Sequence, residues 1–261
     1  MANGFEPGFE GWSDTGDVTF EMRTEIFESF VGIFQPDVIG IQEFSPSWYA
    51  WWEEAYAGTP WRLAATDGDR SQSTGMINPI MYRSDRYRLV VEGWRDYSVS
   101  NSQRYARYMS WVVLESIATG ERFALVNVHW DGWSKPEANA VQRQETLAKI
   151  RELAETYRCP VFNTGDFNTN EEAPDYEAYL ADGYMKDAKF NCDIQVNNVG
   201  SCHGWATQPA GNWSFDHIFT TQDAVVRQFC TASYNQQIYA SDHAWLLADI
   251  DVSPEGAQPV Q

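Results

Sequence analysis

The chain has 261 residues, of which 43% are apolar, with 12 Trp, 13 Tyr and 14 Phe. Folding at this length buries about three-quarters of the unfolded chain's surface, so a full core forms without metal or disulfide staples and disorder is excluded. Acidic residues outnumber basic ones 37 to 18, a net charge of −19, which repels polyanions and counts against a broad basic nucleic-acid groove.

In chain order, residues 4–18 are rich in Gly, Glu, Asp, Ser and Thr and read as a loop. From Phe20 to Phe34 the period becomes helical, with Phe20, Ile26, Phe27, Phe30, Val31 and Phe34 largely on one face. Pro36 ends that helix, and the short apolar run Val38–Gln42 signals a buried strand. Ser45 and Pro46 form an N-cap and first-turn pair for a helix carrying Trp48, Trp51 and Trp52. Strands are expected at 61–65, 76–82, 87–94, 109–116 and 123–130, separated by segments containing Gly, Ser, Asp and Asn. A long helix over 136–157, with apolar Val141, Leu147, Ile150 and Leu153, precedes a strand at 160–163 and a short helix at 174–180. The last strands fall at 214–220, 224–230 and 244–252, and 253–261 reads as a flexible tail. No repeat or composition break divides 1–252, so a single domain is expected. Several strands follow one another without a helix between them. That favours two packed sheets, largely antiparallel or mixed, with helices outside.

The cysteines are Cys159, Cys192, Cys202 and Cys230, with no C-x-x-C spacing, which counts against a zinc or thioredoxin-like site. Cys192 and Cys202 flank the polar stretch Asn197-Asn198-Val199-Gly200, so a local disulfide in an exported protein and free thiols are both open. No apolar run reaches the ~20 residues of a membrane span, and nothing at the amino terminus resembles a signal peptide. The compartment stays open, and a monomer is expected.

Chemistry is concentrated at strand ends. The strongest local signal is Asn163-Thr164-Gly165-Asp166-Phe167-Asn168, where glycine permits a sharp turn and Asp166 and Asn168, two apart, project the same way. Gln42-Glu43 ends the first apolar strand. Asn127-Val128-His129-Trp130-Asp131 ends another, with Asn127, His129 and Asp131 on one face. Asp216, in Ser214-Phe215-Asp216-His217-Ile218-Phe219, places an acid inside an apolar strand, where an unpaired charge is expensive. Ser241-Asp242-His243 precedes the apolar run Ala244–Leu247. Each has a plain structural reading: a capping acid at Glu43, satisfied core histidines at His129 and His243, a cross-strand partner at Asp216. Together, carboxylates and amides suit a hard cation, and histidines beside them handle protons near neutrality.

In this order, the Gln-Glu, Asn-x-His-x-Asp, Gly-Asp-Phe-Asn, Asp-x-Ile-Phe and Ser-Asp-His elements resemble the endonuclease/exonuclease/phosphatase superfamily, the deoxyribonuclease I-like fold, from about Arg23 to Ile250. The resemblance implies a four-layer α/β sandwich and a divalent-metal-dependent phosphoesterase using magnesium or manganese. It implies that Glu43 ligates the metal with Asp242 beside it. Asp166 would orient or deprotonate the attacking water, and Asn168 would hold the scissile phosphate. His243, oriented by Asp216, would contact the phosphate, and His129 would stabilise charge or protonate the leaving oxygen. Asn78, Tyr82, Arg107, Asp131 and Trp133 are the cleft-lining, substrate-binding candidates. Relatives begin with a strand ending in an asparagine that supports the metal, roughly where Asn3 falls, yet only Met1 and Ala2 precede it here. The expectation is a truncated first strand or a start lying upstream, in which case export is open.

The expected substrate is a phosphodiester or phosphomonoester on a small phosphorylated metabolite, sugar phosphate or lipid head group. The alternatives are a nuclease acting on DNA or RNA, whose binding weakens steeply with salt, and a non-catalytic metal- or phosphate-binding relative. A further reading makes the tryptophans (Trp48, Trp51, Trp52, Trp130, Trp133, Trp205) a carbohydrate surface; core burial is the competing account.

Overall fold

The computed structural model describes residues 19–66, 78–100, 107–132, 135–202, 213–232 and 241–252. Asn3, Trp133 and Trp205 lie outside them.

The first helix, α1 (Phe20–Phe34), starts where the Thr19 side chain accepts from Met22 N at 3.2 Å, and stops at Gln35 in the left-handed region ahead of Pro36. It buries Phe27, Phe30 and Val31. After β1 (Val38–Gly40), Ser45 caps α2 (Pro46–Ala55), whose Trp48 is fully buried. There follow β2 (Trp61–Ala64), β3 (Ile80–Arg83), β4 (Tyr87–Asp96), β5 (Tyr108–Ser116) and β6 (Arg122–His129). Then come α3 (Pro136–Tyr157), β7 (Val161–Asp166), α4 (Pro174–Leu180), β8 (Met185–Asp187), β9 (Cys192–Val196), β10 (Asp216–Thr221), β11 (Val225–Ala232) and β12 (Trp245–Asp251).

One six-stranded sheet, ordered β4-β5-β6-β7-β10-β8, forms the centre. Its pairs are antiparallel except β6 with β7, the pair that α3 connects. The sheet is covered on both sides, which explains the near-continuous apolar runs of β5 and β6. One face, with Val113, Val126, Val128 and Phe219, packs under α3 and α4 through Leu147, Ile150 and Tyr179. The other face meets two three-stranded sheets. Val112, Leu125 and Phe162 pack against Ile80 and Tyr82 of the sheet β1-β3-β2. Ile218 packs against Val226 and Phe229 of the sheet β12-β11-β9. With α1 and α2 outside β1–β3, the architecture is the four-layer α/β sandwich expected.

The layer opposite the six-stranded sheet is split. Among the described residues β1 pairs with β3 alone and β12 with β11 alone. Their other edges line a slot of about 450 Å³ together with Phe30, Ile39, Leu247 and Ala248, and the slot runs on to Gly165, Asp216 and His243. Consequently β1 and most of β12 are half-buried, whereas β6 is buried from Phe123 to His129.

Two strands lie outside the sequence expectation. β8 has only three residues, too few to show a period, and β9 alternates Cys192, Ile194 and Val196 with Asp193 and Gln195 over only five residues, with Ile194 and Val196 exposed at a sheet edge rather than buried. All four cysteines are free thiols; the disulfide alternative for Cys192 and Cys202 is not realised. No described helix is long and apolar enough to cross a membrane.

Candidate active site

Three chemical side chains stand abreast on neighbouring strands. His129 ends β6 directly opposite Asp166 at the end of β7, and Asp166 lies opposite Asp216 at the start of β10. Neighbouring strands run about 4.8 Å apart, so the sheet sets the spacing of this row before any side chain is chosen. Gly165 is what lets β7 lie so close to β6. It has φ 149°, and a Cβ there would overlap the Val128 carbonyl, so no other residue fits.

Asp166 is tied down locally. Its Oδ1 accepts from Asn168 N at 2.8 Å, an Asx turn that holds Asn168 at φ 48°. The Asn168 carboxamide in turn donates to the Trp130 carbonyl at 3.0 Å. Behind this loop Phe167 is buried in the core. Burial, then the neighbouring Asp216 charge, push the Asp166 carboxyl up to about 7, against the pull of His243, the Asn168 N–H and Arg107.

The fourth member comes from the opposite layer. His243 precedes β12, and its Nδ1 donates to Asp216 Oδ2 at 2.7 Å. Burial alone would lower this imidazole. The charge and hydrogen bond of Asp216, with help from Cys202 and Asp166, raise it well above its usual value. Burial acts in the opposite sense on Asp216, where the His243 charge, its hydrogen bond and Ser201 bring the carboxyl below its usual value. The pair is therefore an imidazolium–carboxylate. His129 differs: burial, then Arg107 and His243, lower it well below its usual value. Its Nε2 stands 3.4 Å from Asp166 Oδ2 as a neutral ring, not an ion-pair partner.

Ser201 completes the support, a role its place in a polar stretch does not announce. Its Oγ donates to Asp216 Oδ2 at 2.6 Å and accepts from the Phe215 and Asp216 N–H groups at 3.0 Å. Arg23 also sits near the site. It is buried on α1, over the Trp48 ring at 5.4 Å. Burial lowers its guanidinium to about 10 despite the attraction of Asp242 and Glu43. Arg23 precedes Phe27 by four and Phe30 by seven, a spacing that puts a cation on the helix's apolar face and is readable in the sequence.

Glu43 follows β1 in the left-handed region at φ 55° and is half-buried. The Oδ1 of Asp242 is buried and has no hydrogen-bond partner among the described residues. The divalent cation that the family implies finds fitting donors here, since both acids act electrostatically on the same buried Arg23 and hard cations take carboxylate oxygens. Asp166, Asp216 and His243 also bring ligand atoms within 4.8 Å of one another. Their mutual hydrogen bond, however, occupies Asp216 Oδ2 and His243 Nδ1. The Glu43–Asp242 acids are the better fit.

The remaining expected residues divide. Arg107 lies 3.7 Å from Asp131 and acts electrostatically on His129 and Asp166. Asp131 is buried, bonded to Gln142 by its N–H and by Oδ2. Asn78 is buried, donating to Tyr108 O at 3.3 Å. Tyr82 is packed in the core with Leu125 and Phe162 and is not brought to the cluster. Trp48 and Trp130 are fully buried, so neither belongs to a carbohydrate surface.

The Endonuclease/Exonuclease/phosphatase family model matches residues 21–243, and the chain belongs to that family of phosphoester hydrolases. Among solved structures, the mannosyl-6-phosphatase Bt3783 of Bacteroides thetaiotaomicron VPI-5482 aligns with TM-score 0.79 and 22% identity, over 89% of this chain and 91% of that one. The human Nocturnin catalytic domain with bound sulfate aligns with TM-score 0.71 and 14% identity, over 91% and 89%. D. rerio TDP2 complexed with single strand DNA product gives TM-score 0.67 and 15% identity, over 92% and 94%. At these identities the likeness is one of fold. No curated protein matches.

Proposed function

We propose that this chain hydrolyses a phosphomonoester or phosphodiester of a small phosphorylated metabolite, such as a sugar phosphate or lipid head group, with magnesium or manganese. One observation carries the reading: His129, Asp166 and Asp216 abreast on three strands, closed from the opposite layer by His243.

Glu43 and Asp242 would hold the cation, which when bound neutralises phosphate charge and polarises the phosphorus centre. Asp166, with its carboxyl raised toward neutrality, orients the attacking water and takes its proton. Asn168, its backbone N–H held by Asp166 and one carboxamide hydrogen by the Trp130 carbonyl, gives its other carboxamide hydrogen to a phosphoryl oxygen. The His243 imidazolium, oriented by Asp216, offsets the negative charge that grows in the transition state. Neutral His129 supplies a hydrogen bond to the leaving oxygen rather than a full charge. The net charge of −19 favours compact anions whose charge a cation can screen over a long polyanion.

The test is a phosphoester panel comprising p-nitrophenyl phosphate, bis-p-nitrophenyl phosphate, sugar and inositol phosphates, sphingomyelin, RNA and plasmid DNA. Each is assayed with magnesium, manganese and chelator. Turnover of small esters that vanishes with chelator and with Asp166→Ala is expected; turnover indifferent to both would overturn the mechanism. The TDP2 structure holds a DNA product, so a nuclease is the second reading. Preferred cleavage of DNA or RNA, with activity falling steeply as salt rises, would establish it instead.

A further inference from the structure

We infer that Asn127 is a positioning residue of this reaction: from the six-stranded sheet, its buried carboxamide sets where Glu43 stands on the opposite layer. The inference rests on Glu43 being a metal ligand.

Asn127 lies on β6 two residues before His129, hence on the same face, and is fully buried. Its Oδ1 accepts from Gln42 Nε2 at 2.6 Å and from Thr164 Oγ1 at 3.3 Å. Its Nδ2 donates to the Ile41 carbonyl at 2.8 Å and stands 3.3 Å from the carbonyls of Asn78 and Pro79. One side chain therefore grips both residues ahead of Glu43 and the segment leading into β3. The strand it grips comes as near as backbone can. A Cβ on Gly40 would overlap Thr164 Oγ1 and sit 2.6 Å from Asn127 Oδ1.

Glu43 itself needs such a clamp. The left-handed conformation is unfavourable for a non-glycine residue and persists where its surroundings over-determine it. Gln42 and Ile41, held by Asn127, fix one side of Glu43, and the Ser45 cap of α2 fixes the other. Since His129 rides on the same strand as Asn127, the carboxamide sets the distance between the Glu43 wall and the His129–Asp166 wall.

An asparagine with the same burial provides the control. Asn163 on β7 is also fully buried, but its bonds go to the Val126 carbonyl at 2.9 Å and from Tyr179 OH at 2.6 Å. That is the face under α3 and α4, away from Glu43. Asn127→Leu and Asn163→Leu thus remove the same chemistry from opposite sides of the sheet.

Manganese binding to the purified chain, read from the free-ion electron paramagnetic resonance signal well below each variant's Tm, separates positioning from stability. Asn127→Leu is expected to weaken binding by about tenfold or more, and Asn163→Leu by less than about twofold, while both lower Tm. Gln42→Met, which removes one bond and keeps Asn127, is expected to weaken binding in the same direction by less, and decides the matter if Asn127→Leu does not fold. Equal weakening by the two leucine variants, or unchanged binding in Gln42→Met, overturns the inference. Glu43→Gln that binds manganese as tightly as the parent overturns the metal reading beneath it, a separate result.

Discussion

The two walls of the site are built differently. His129, Asp166 and Asp216 stand on strands paired on both edges within the six-stranded sheet. Glu43, Asp242 and His243 come from segments beside β1 and β12, whose facing edges carry no strand partner among the described residues. Proton chemistry needs fixed distances, and fully paired strands supply them. The acids proposed to bind the cation stand on the second wall, where a bound ion would add order to what Asn127 and the Ser45 cap already fix at Glu43.

The comparison is broken most directly on the rigid wall. Asp166→Ala is expected to lower kcat by about 10²–10⁴-fold with little change in manganese affinity, the signature of a lost base; steady-state kinetics with a manganese titration check both halves. On the second wall, Glu43→Gln should raise the metal concentration for half-maximal activity by about 10–100-fold, measured by titration into chelator-treated protein.

Stability should follow the same division. Leu114→Ala, fully buried on β5, is expected to cost about 3 kcal/mol. Leu247→Ala, half-buried beside the slot, should cost about 1 kcal/mol, because surroundings already open lose less contact. Denaturant unfolding of the two variants gives the ratio; equal costs would mean that the second wall is as well packed as the other.

The smallest effect concerns pH. Asp166 faces Asp216, His243, Arg107 and His129, and its carboxyl is raised in the fold. A carboxyl with a raised folded pKa binds more protons folded than unfolded between its two values. Its contribution is thus complete in acid and is lost as pH climbs from about 4 toward 7. Metal-free protein should lose some Tm over that window, and Asp166→Asn should flatten the loss and melt higher at pH 8. A parental Tm that rises as steeply as the variant's would contradict the raised carboxyl.

Much of this was legible in the sequence, for physical reasons. The helical period of Phe27, Phe30 and Val31, the Ser45-Pro46 start signal and the apolar runs of β5 and β6 are local patterns, and the elements form where those patterns fall. The acids were legible because an aspartate such as Asp216 stands out inside an apolar strand. What stayed hidden is non-local. Ser201 reads as a loop serine until the fold lays it on Asp216. Asn127 reads as a member of the Asn-x-His-x-Asp strand end, but its hold on the segment ahead of Glu43 is invisible until Gln42, 85 residues earlier and just past β1, is laid against it. Tyr82 has the same aromatic strand signature whether it lines a cleft or fills the core, and it fills the core.

Gly165 carries a consequence for how this chain tolerates variation. It has no functional group, yet any side chain would strike the Val128 carbonyl, so a saturation library should show it as intolerant as the aspartate that follows. Loss of activity alone cannot then tell a chemical residue from a spatial one. Abundance can: variants at Asp166 should accumulate as folded, inactive protein, whereas those at Gly165 should disappear.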